Sequence, residues 1–270
     1  MELSLKITLA TTWNELTEFQ LCEISTALDH YHKFKDCHPA ASQPALYSKL
    51  YVVLVKSLLR INNFISVWFA LRKLSPEFYE EYVQFLCGEI QRTAFLPAFK
   101  FKGNTYFPPA NRLQNLTIKE FSFVDSLYYN WKKTQDVRFL DMLCATLYRT
   151  EGPKDPFSID IRKPFNKIFV EKDTPLLSGL PYFKKIAIAY CYEGSRNYIV
   201  KQYPHIFPKP EKQDPEEKVK TKQIYTPFLK LLHYKIAFDP SKIERTQDLN
   251  VHDFFGPYEN ELIEMKTQKR

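Results

Sequence analysis

The chain of 270 residues is long enough to bury an extensive core, and 44% hydrophobic with 26% charged residues excludes wholesale disorder. Aromatic residues reach 16% while glycine occurs only 6 times, and the sequence has no G-x-G-x-x-G or Walker motif, which excludes the common nucleotide-binding loops. The net charge of +7 is compatible with nucleic-acid binding, but stretches such as residues 209–222 carry both signs, which favours a solvated surface.

The cysteines and the apolar segments indicate a soluble intracellular protein. The cysteine number is odd, and the residues are widely spaced and mostly in apolar stretches, which predicts reduced, buried thiols. They are Cys22, Cys37, Cys87, Cys144 and Cys191. The first residues lack the basic start and long apolar core of a signal peptide. Lysines and arginines interrupt the apolar stretch at residues 46–74, so it predicts two core helices rather than a membrane span.

The first 33 residues predict a strand followed by a helix. Alternation of leucine and isoleucine over Leu3–Leu9 is typical of a half-buried strand. Thr17 and Gln20 have the spacing of a capping box, and the flanking leucines, Leu16 and Leu21, that of a hydrophobic staple. This pattern predicts a helix over residues 18–33.

The same pattern returns one hundred residues later. Thr117 and Glu120 repeat the box, and Leu116 with Phe121 repeats the staple. Each copy then enters an apolar helix that ends in Leu-x-Arg, at Arg60 or Arg149. These matching offsets predict an internal duplication of strand-plus-helices units.

The remaining elements follow from local signals. Ser75-Pro76-Glu77 predicts the start of a helix over residues 76–91. Lys102-Gly103-Asn104 between two aromatic runs predicts a hairpin. Further helices are expected at residues 181–203, with a break at Gly194, and at 224–238 and 248–266.

The sequence predicts a mainly α protein with a few short β-strands, of the α+β class, built from internally duplicated helical units. Residues 1–97 form the first unit, and residues 98–207 form the second, with its hairpin and a further helix. A proline-rich charged linker at 208–223 leads to a C-terminal helical segment at 224–270.

The densest group of metal-ligand residue types is His30, His32, Cys37 and His38. These residues straddle a predicted helix end, and no second pair follows at a zinc-finger distance. The structural alternative is a basic helix C-terminus that complements the helix dipole, which the sequence favours without deciding the question. We predict no metal and no cofactor.

The sequence offers no nucleophile in a catalytic setting. It has no G-x-S-x-G motif, and Cys191 and Ser195 lie in an apolar helix, where buried structural roles are expected. We therefore expect a protein that is not an enzyme and has no catalytic residues.

Aromatic and basic residues supply the candidate partner-binding set. A stretch around Arg196 mixes both types and suits a protein partner or, as the alternative, single-stranded nucleic acid. The three tryptophans, Trp13, Trp68 and Trp131, are expected mainly in the core. The candidate partner-binding residues are Trp13, Tyr192, Arg196, Tyr198 and Tyr203.

The segment Thr12–Thr17 with Gln20 resembles the opening of tail assembly chaperones of tailed bacteriophages, where Trp-x-x-Leu-Thr-x-x-Gln begins a helix after a strand. Further stretches resemble uncharacterised tailed-phage and prophage proteins of Bacteroides-like bacteria, so that the resemblance covers most of the chain. They are residues 106–117, Tyr190 to Tyr198, Phe228 to Leu232, and Asp248-Leu249.

The resemblance implies a virion-morphogenesis protein, either a chaperone that holds a tail component or a structural or adaptor piece of the particle. Its partners would be other phage structural proteins, such as a tape-measure or tail component, in the host cytoplasm or in the virion. No membrane association is implied, and the oligomeric state is left open. The alternative function is a nucleic-acid-binding regulator, which the charge of +7 suggests.

Overall fold

The computed structural model describes residues 7–35, 42–153, 160–208 and 240–268 of the chain. These residues are mostly helical and include a small two-stranded antiparallel sheet, which confirms the prediction of a mainly helical protein with a few short strands. The chain divides into two compact units. Residues 1–96 and 180–195 form the first, and residues 97–179 and 196–270 form the second.

The first unit begins with a short 3-10 turn at Trp13–Glu15, followed by a series of α-helices. They are α1 (Glu18–Lys35), α2 (Gln43–Leu59), α3 (Phe64–Lys73) and α4 (Pro76–Cys87). Helix α1 packs along α2, and α2 also contacts α4. Because α1 and α2 are consecutive, their pairing is a local helical hairpin.

The capping box predicted at the start of α1 is present. The Gln20 backbone N–H donates to Thr17 Oγ1 at 3.3 Å, and the Thr17 N–H donates to Gln20 Oε1 at 3.0 Å. Each residue thus satisfies a backbone donor that the first turn of a helix leaves without an intrahelical partner.

The second unit combines a hairpin with further helices. Its elements are β1 (Phe99–Phe101), β2 (Asn104–Tyr106), α5 (Ile118–Thr134), α6 (Val137–Leu147), α7 (Lys167–Leu177), α9 (Pro240–Gln247) and α10 (Val251–Gln268). Helix α6 packs against both α5 and α7, and both α9 and α10 contact α5. Helix α8 (Tyr182–Gln202) is continuous, and its residues from Arg196 onward group with this unit.

The predicted hairpin is confirmed. Phe101 pairs with Asn104, so Lys102 and Gly103 form a two-residue turn, with positive φ angles of 46° and 82°. Positive φ at both central positions is the requirement of the turn that best matches the twist of paired strands. Glycine at the second position meets it without steric cost.

Helices α1 and α5 bury corresponding faces, each within its own unit. Trp13 and Leu16 are buried before α1, as Leu113 and Leu116 are before α5. The buried positions that coincide at an offset of 100 are Gln20 and Glu120, Leu21 and Phe121, Cys22 and Ser122, Ile24 and Val124, and Ser25 and Asp125. The shared face supports the predicted duplication, which stays a prediction.

Two local predictions were wrong, and two helices, α7 and α9, were missed. Residues 7–9 of the expected strand are not in a strand, while residues 1–6 lie outside the described residues. Gly194 does not break α8, because its missing side chain lets the helix approach Arg92: an added Cβ would lie 2.2 Å from the Arg92 carbonyl oxygen. Helix α7 was not predicted, since Pro175 within it is typical of a helix end.

The compact units differ from the predicted ranges at two places. Residues 180–195 group with the first unit rather than with 98–207, and the C-terminal helices group with the second unit. Of the predicted 208–223 linker and 224–238 helix, only Pro208 lies among the described residues. The predicted C-terminal helix over 248–266 corresponds to α10.

Some of the tryptophans and cysteines are buried, and others are exposed. Trp13 and Trp131 are buried as predicted, whereas Trp68 is 45% exposed, so the core prediction is wrong for this residue. Cys22, Cys144 and Cys191 are buried free thiols, and Cys87 is exposed. Cys37 lies outside the described residues.

Candidate helix-binding groove

A groove of about 810 Å³ runs between α1 and α2 in the first unit. Its lining combines residues of α1 (Glu18, Phe19, Cys22, Glu23, Thr26, Ala27, His30, Tyr31, Phe34), α2 (Leu46, Lys49, Leu50, Val53) and the start of α8 (Phe183). Most of these side chains are aliphatic or aromatic. The groove is thus a largely apolar surface on a protein unit that already has a separate core.

Helical spacing explains how one pair of helices supplies both the groove and a core. On α1 the groove residues recur every three or four positions from Phe19 to Phe34, which places them along one side. Leu21, Ile24 and Leu28 lie on another side of the same helix and are buried. Helix α1 therefore has two apolar sides: among the described residues of the unit, one is buried and the other lines the groove.

The groove has large side chains at its ends and small ones at its middle. Phe19 and Phe34 are 49% and 52% exposed and lie fifteen residues apart, a distance of about 22 Å along a helix. Thr26 and Ala27 lie between them and leave space above the helix backbone. This profile suits an elongated apolar ligand of about four helical turns.

Acidic groups at the start of α1 are already neutralised. Glu18 Oε1 lies 3.0 Å from Lys184 Nζ, and Glu23 forms an ion pair with Arg60. The Arg60 guanidinium also lies 4.2 Å from the centroid of the Phe19 ring, where it covers part of the aromatic face. These pairs leave little free negative charge at this end of the groove.

The opposite end of the groove carries basic groups that remain available. Lys49 and His30 are exposed, and neither forms an ion pair with a described residue. The groove therefore has a positive end, and a ligand carrying a carboxylate there would gain a favourable contact.

A small polar network fixes Phe183 beside α1. Tyr182, its neighbour in α8, donates from its hydroxyl to Asp29 Oδ2 at 2.9 Å, and Lys33 Nζ lies 2.8 Å from the same oxygen. Burial disfavours the charge on Lys33, but the hydrogen bonds to Asp29 and Tyr182 outweigh it and raise the lysine pKa. The network holds the first turn of α8 against α1 and so positions Phe183.

The described side chains of the groove suit the binding of a ligand better than nucleophilic or metal-dependent chemistry. Burial raises the pKa of the Cys22 thiol to about 11, so at neutral pH this sulfur is protonated and a poor nucleophile. Of the metal-ligand cluster considered from the sequence, His30 and His32 are exposed on α1, while Cys37 and His38 lie outside the described residues. Among described side chains, no group of three could hold a metal ion.

Two of the predicted partner-binding residues belong to the core of the first unit. Trp13 is 2% exposed, and its indole Nε1–H donates to the Phe85 carbonyl at 3.1 Å. Tyr192 is fully buried. Their burial follows from the packing of other helices around them and leaves almost no ring surface for a partner.

The other three predicted residues lie in the second unit. Arg196 Nε is 2.6 Å from Asp125 Oδ1, so its charge is already paired. Tyr198 is partly exposed, and the centroid of its ring lies 4.8 Å from Cζ of the Arg112 guanidinium. Tyr203 is 6% exposed and hydrogen-bonds to His252 Nδ1 at 3.0 Å. Of the predicted set, Arg196 and Tyr198 therefore retain accessible surface.

Cys191 and Ser195 have the buried positions expected of them. Both are fully buried in α8, and burial raises the pKa of Cys191 to about 12. The Ser195 hydroxyl donates to the Thr93 carbonyl at 3.4 Å.

The groove was not predicted from the sequence. The sequence feature that indicates the groove is a second apolar stripe of α1, which includes Phe19, Tyr31 and Phe34. A helix with two apolar sides lacks a strong polar face, so its periodicity does not show which side stays uncovered.

No protein-family model, curated protein or solved structure matches this chain. Among the described residues, no helix combines the length and apolar character needed to cross a bilayer.

Proposed function

We propose that the protein is a non-enzymatic virion-morphogenesis protein of a tailed phage or prophage, acting through protein–protein contacts as a tail assembly chaperone or an adaptor. The groove between α1 and α2 receives an amphipathic helix of another phage protein. The observation that carries this proposal is the apolar groove of about 810 Å³, uncovered between two helices that already bury a core on other sides.

A helix is the ligand that best matches the groove. Two parallel rows of side chains, one from each helix, form walls into which a third helix can pack its ridges. The distance between Phe19 and Phe34 corresponds to about four turns, and Ala27 leaves room for a large partner side chain between them. A strand would leave its backbone groups unpaired against this apolar surface.

The charges of the groove specify the partner further. An amphipathic helix with apolar residues at i, i+3, i+4 and i+7 would fill the groove, and an acidic residue on its edge would face Lys49 and His30. A tape-measure or tail protein whose helices are not yet assembled exposes such stripes. Covering one would protect it from aggregation, which is the role that the sequence resemblance implies.

The alternative, a nucleic-acid-binding regulator, has less support. Its central cation, Arg196, is paired with Asp125, although Arg112 over Tyr198 retains a basic and aromatic surface in the second unit. A gel shift at low salt separates the two functions, since phosphate binding weakens steeply as salt rises while apolar docking does not.

Two neighbouring valines provide a matched test of the groove. Val53 lines it and is 42% exposed, whereas Val52 is 47% exposed on the same helix and does not line it. The full chain is co-purified with tail and tape-measure segments encoded by neighbouring genes, and affinity is then measured on helical peptides from the bound segment. We expect Val53→Asp to weaken binding at least about tenfold and Val52→Asp to leave it near wild type.

The charged end of the groove gives an independent measurement. Lys49→Glu should weaken a partner helix with an acidic edge, and a peptide with that acid changed to lysine should recover affinity for this variant. Equal binding by the Val52 and Val53 variants, or no association with any tail or tape-measure segment, would contradict the proposed function.

A further inference from the structure

Helix α3 exposes four large apolar side chains and buries two small residues. Phe64, Ile65, Trp68 and Leu71 are 81%, 63%, 45% and 44% exposed, while the buried residues of this helix are Ser66 and Ala70. The four exposed residues follow the spacing i, i+1, i+4 and i+7 and form one stripe. Asn63 fixes this orientation at the helix start, because its side chain accepts the Ser66 N–H at 2.8 Å.

The stripe is a large exposed apolar surface. Side chains of this size and exposure present on the order of 500 Å² of apolar area, which is comparable with the largest patches of soluble monomers, and such patches are often functional. Phe78 at the start of α4 is a further exposed aromatic residue, at 45%. A stable interface buries about 800 Å² per partner, so α4 must contribute to it as well as α3.

The charges next to this surface are separated by helix. At the end of α3, Arg72 and Lys73 are exposed, and neither forms an ion pair with a described residue. On α4, Glu80 and Glu81 are likewise exposed and form no ion pair within the described part of the chain. The two helices are consecutive, one basic and one acidic, and their charges do not neutralise each other.

We propose that α3 and α4 form the interface of a homodimer. In a two-fold arrangement, α3 of each copy lies against α4 of the other, so the stripe of each copy is covered by its partner. The basic end of each α3 then faces the acidic side of the opposite α4. One interface therefore satisfies both the apolar stripe and the unpaired charges. The dimer surface is separate from the α1/α2 groove, so dimerisation does not depend on the proposed function.

A second copy fits better than an anionic membrane surface. A basic amphipathic helix would suit such lipids, but Glu80 and Glu81 on the next helix would be repelled by them. A second copy instead uses both signs of charge, since it presents the complementary helix at each position.

The test is the mass of the full-length protein in solution, measured by light scattering and by sedimentation over a range of concentrations. We expect a dimer of twice the chain mass of 32.0 kDa. Phe64→Asp should raise the dimer dissociation constant at least about tenfold. The matched control is Ile168→Asp, at a 70% exposed isoleucine in the first turn of α7, which should leave the dissociation constant unchanged.

Charge reversal decides the pairing of the helices. Arg72→Glu with Lys73→Glu, or Glu80→Lys with Glu81→Lys, should each weaken the dimer at least about tenfold, and the four changes combined should restore most of the affinity. Restoration also shows that the variants fold. The proposal would be overturned if the wild-type chain stayed monomeric in a series of 100-fold concentration steps that ends at about millimolar, where even weak dimers are measurable. It would also be overturned if the combined variant failed to restore the dimer.

Discussion

Gln20 in the first unit and Glu120 in the second occupy the same position, three residues after a helix-capping threonine. Gln20 is neutral, and its amide Nε2 donates directly to the carbonyls of Ser57 at 3.2 Å and Leu58 at 3.0 Å. These carbonyls belong to the last turn of α2, where the regular i+4 donors end, and the Ser57 carbonyl also accepts from the Arg60 N–H at 3.3 Å. One uncharged side chain thus connects the start of one helix to the end of the next.

Glu120 makes the corresponding connection through two arginines. Its Oε1 lies 2.7 Å from Arg149 Nη1 and 3.3 Å from Arg162 Nη1. The arginines in turn donate to the last turn of α6, Arg149 to Thr146 O at 3.1 Å and Arg162 to Leu147 O at 2.7 Å. All three charged side chains are at most 6% exposed.

Glutamine and glutamate at this shared position require different partners from the rest of their units. A buried carboxylate requires buried cations, and these bring in Asp160, whose Oδ2 lies 2.7 Å from Arg162 Nη2. Burial disfavours the charge on Arg162, but Glu120 and Asp160 outweigh it and raise the arginine pKa. The second unit therefore ties the segment after α6 to the start of α5, whereas the first unit needs no such segment.

The largest effect is expected when Glu120 is made neutral. Glu120→Gln leaves two buried guanidinium groups with one carboxylate, and we expect the free energy of unfolding to fall by about 3–5 kcal/mol. Urea unfolding measures it. Glu23→Gln, which removes a carboxylate from the more exposed pair with Arg60, is the control and should cost less than about 1 kcal/mol. Equal losses would show that the buried cluster adds nothing beyond a surface pair.

The reciprocal change places a carboxylate at a buried position of the first unit, where the present side chain faces two backbone carbonyls. Gln20→Glu removes the donor to Ser57 and Leu58 and sets an anion against their oxygens, which should cost about 2–3 kcal/mol at neutral pH. The pKa of this buried carboxyl should be raised, so the folded state binds more protons than the unfolded state and stability decreases as pH rises. Urea unfolding at several pH values measures this.

The control for that variant is Gln84→Glu, which adds the same charge at an exposed position of α4. It should show neither the loss of stability nor its pH dependence. A Gln20→Glu protein as stable as wild type at neutral pH would mean that the two amide hydrogen bonds contribute little.

The smallest effect is expected at the threonines, where the two units agree. Thr17→Ala and Thr117→Ala each remove a hydroxyl that accepts from the residue three positions on, and each should cost about 1 kcal/mol. Serine at either position retains the acceptor and should restore most of the loss. A much larger loss at one threonine, measured by urea unfolding, would show that the two helix starts are not equivalent.

Signals that act within a few residues of sequence were predicted well. The capping box at Thr17, the proline at the start of α4 and the Lys102-Gly103 turn each depend on neighbouring residues and local backbone angles. The first turn of α5 has the predicted Thr117 cap, but its glutamate does not complete the box, since its carboxylate is directed to the arginines.

Features that depend on distant residues were not predicted. The sequence showed an apolar α1 but not which of its sides α2 would leave open, and it placed Trp68 in the core although α3 turns Ser66 and Ala70 inward instead. Gly194 suggested a broken helix because the close approach of Arg92, 102 residues earlier, has no local signal.

The sequence by itself determined where most helices begin, where the hairpin turns and that the fold is mainly helical, because these depend on backbone hydrogen bonds between near neighbours. The tertiary structure alone decided that Tyr192 is a core residue, that Glu120 meets Arg149 and Arg162, and that an apolar groove stays open. Those outcomes depend on which side chains compete for the same buried space, and only the assembled helices bring the competitors together.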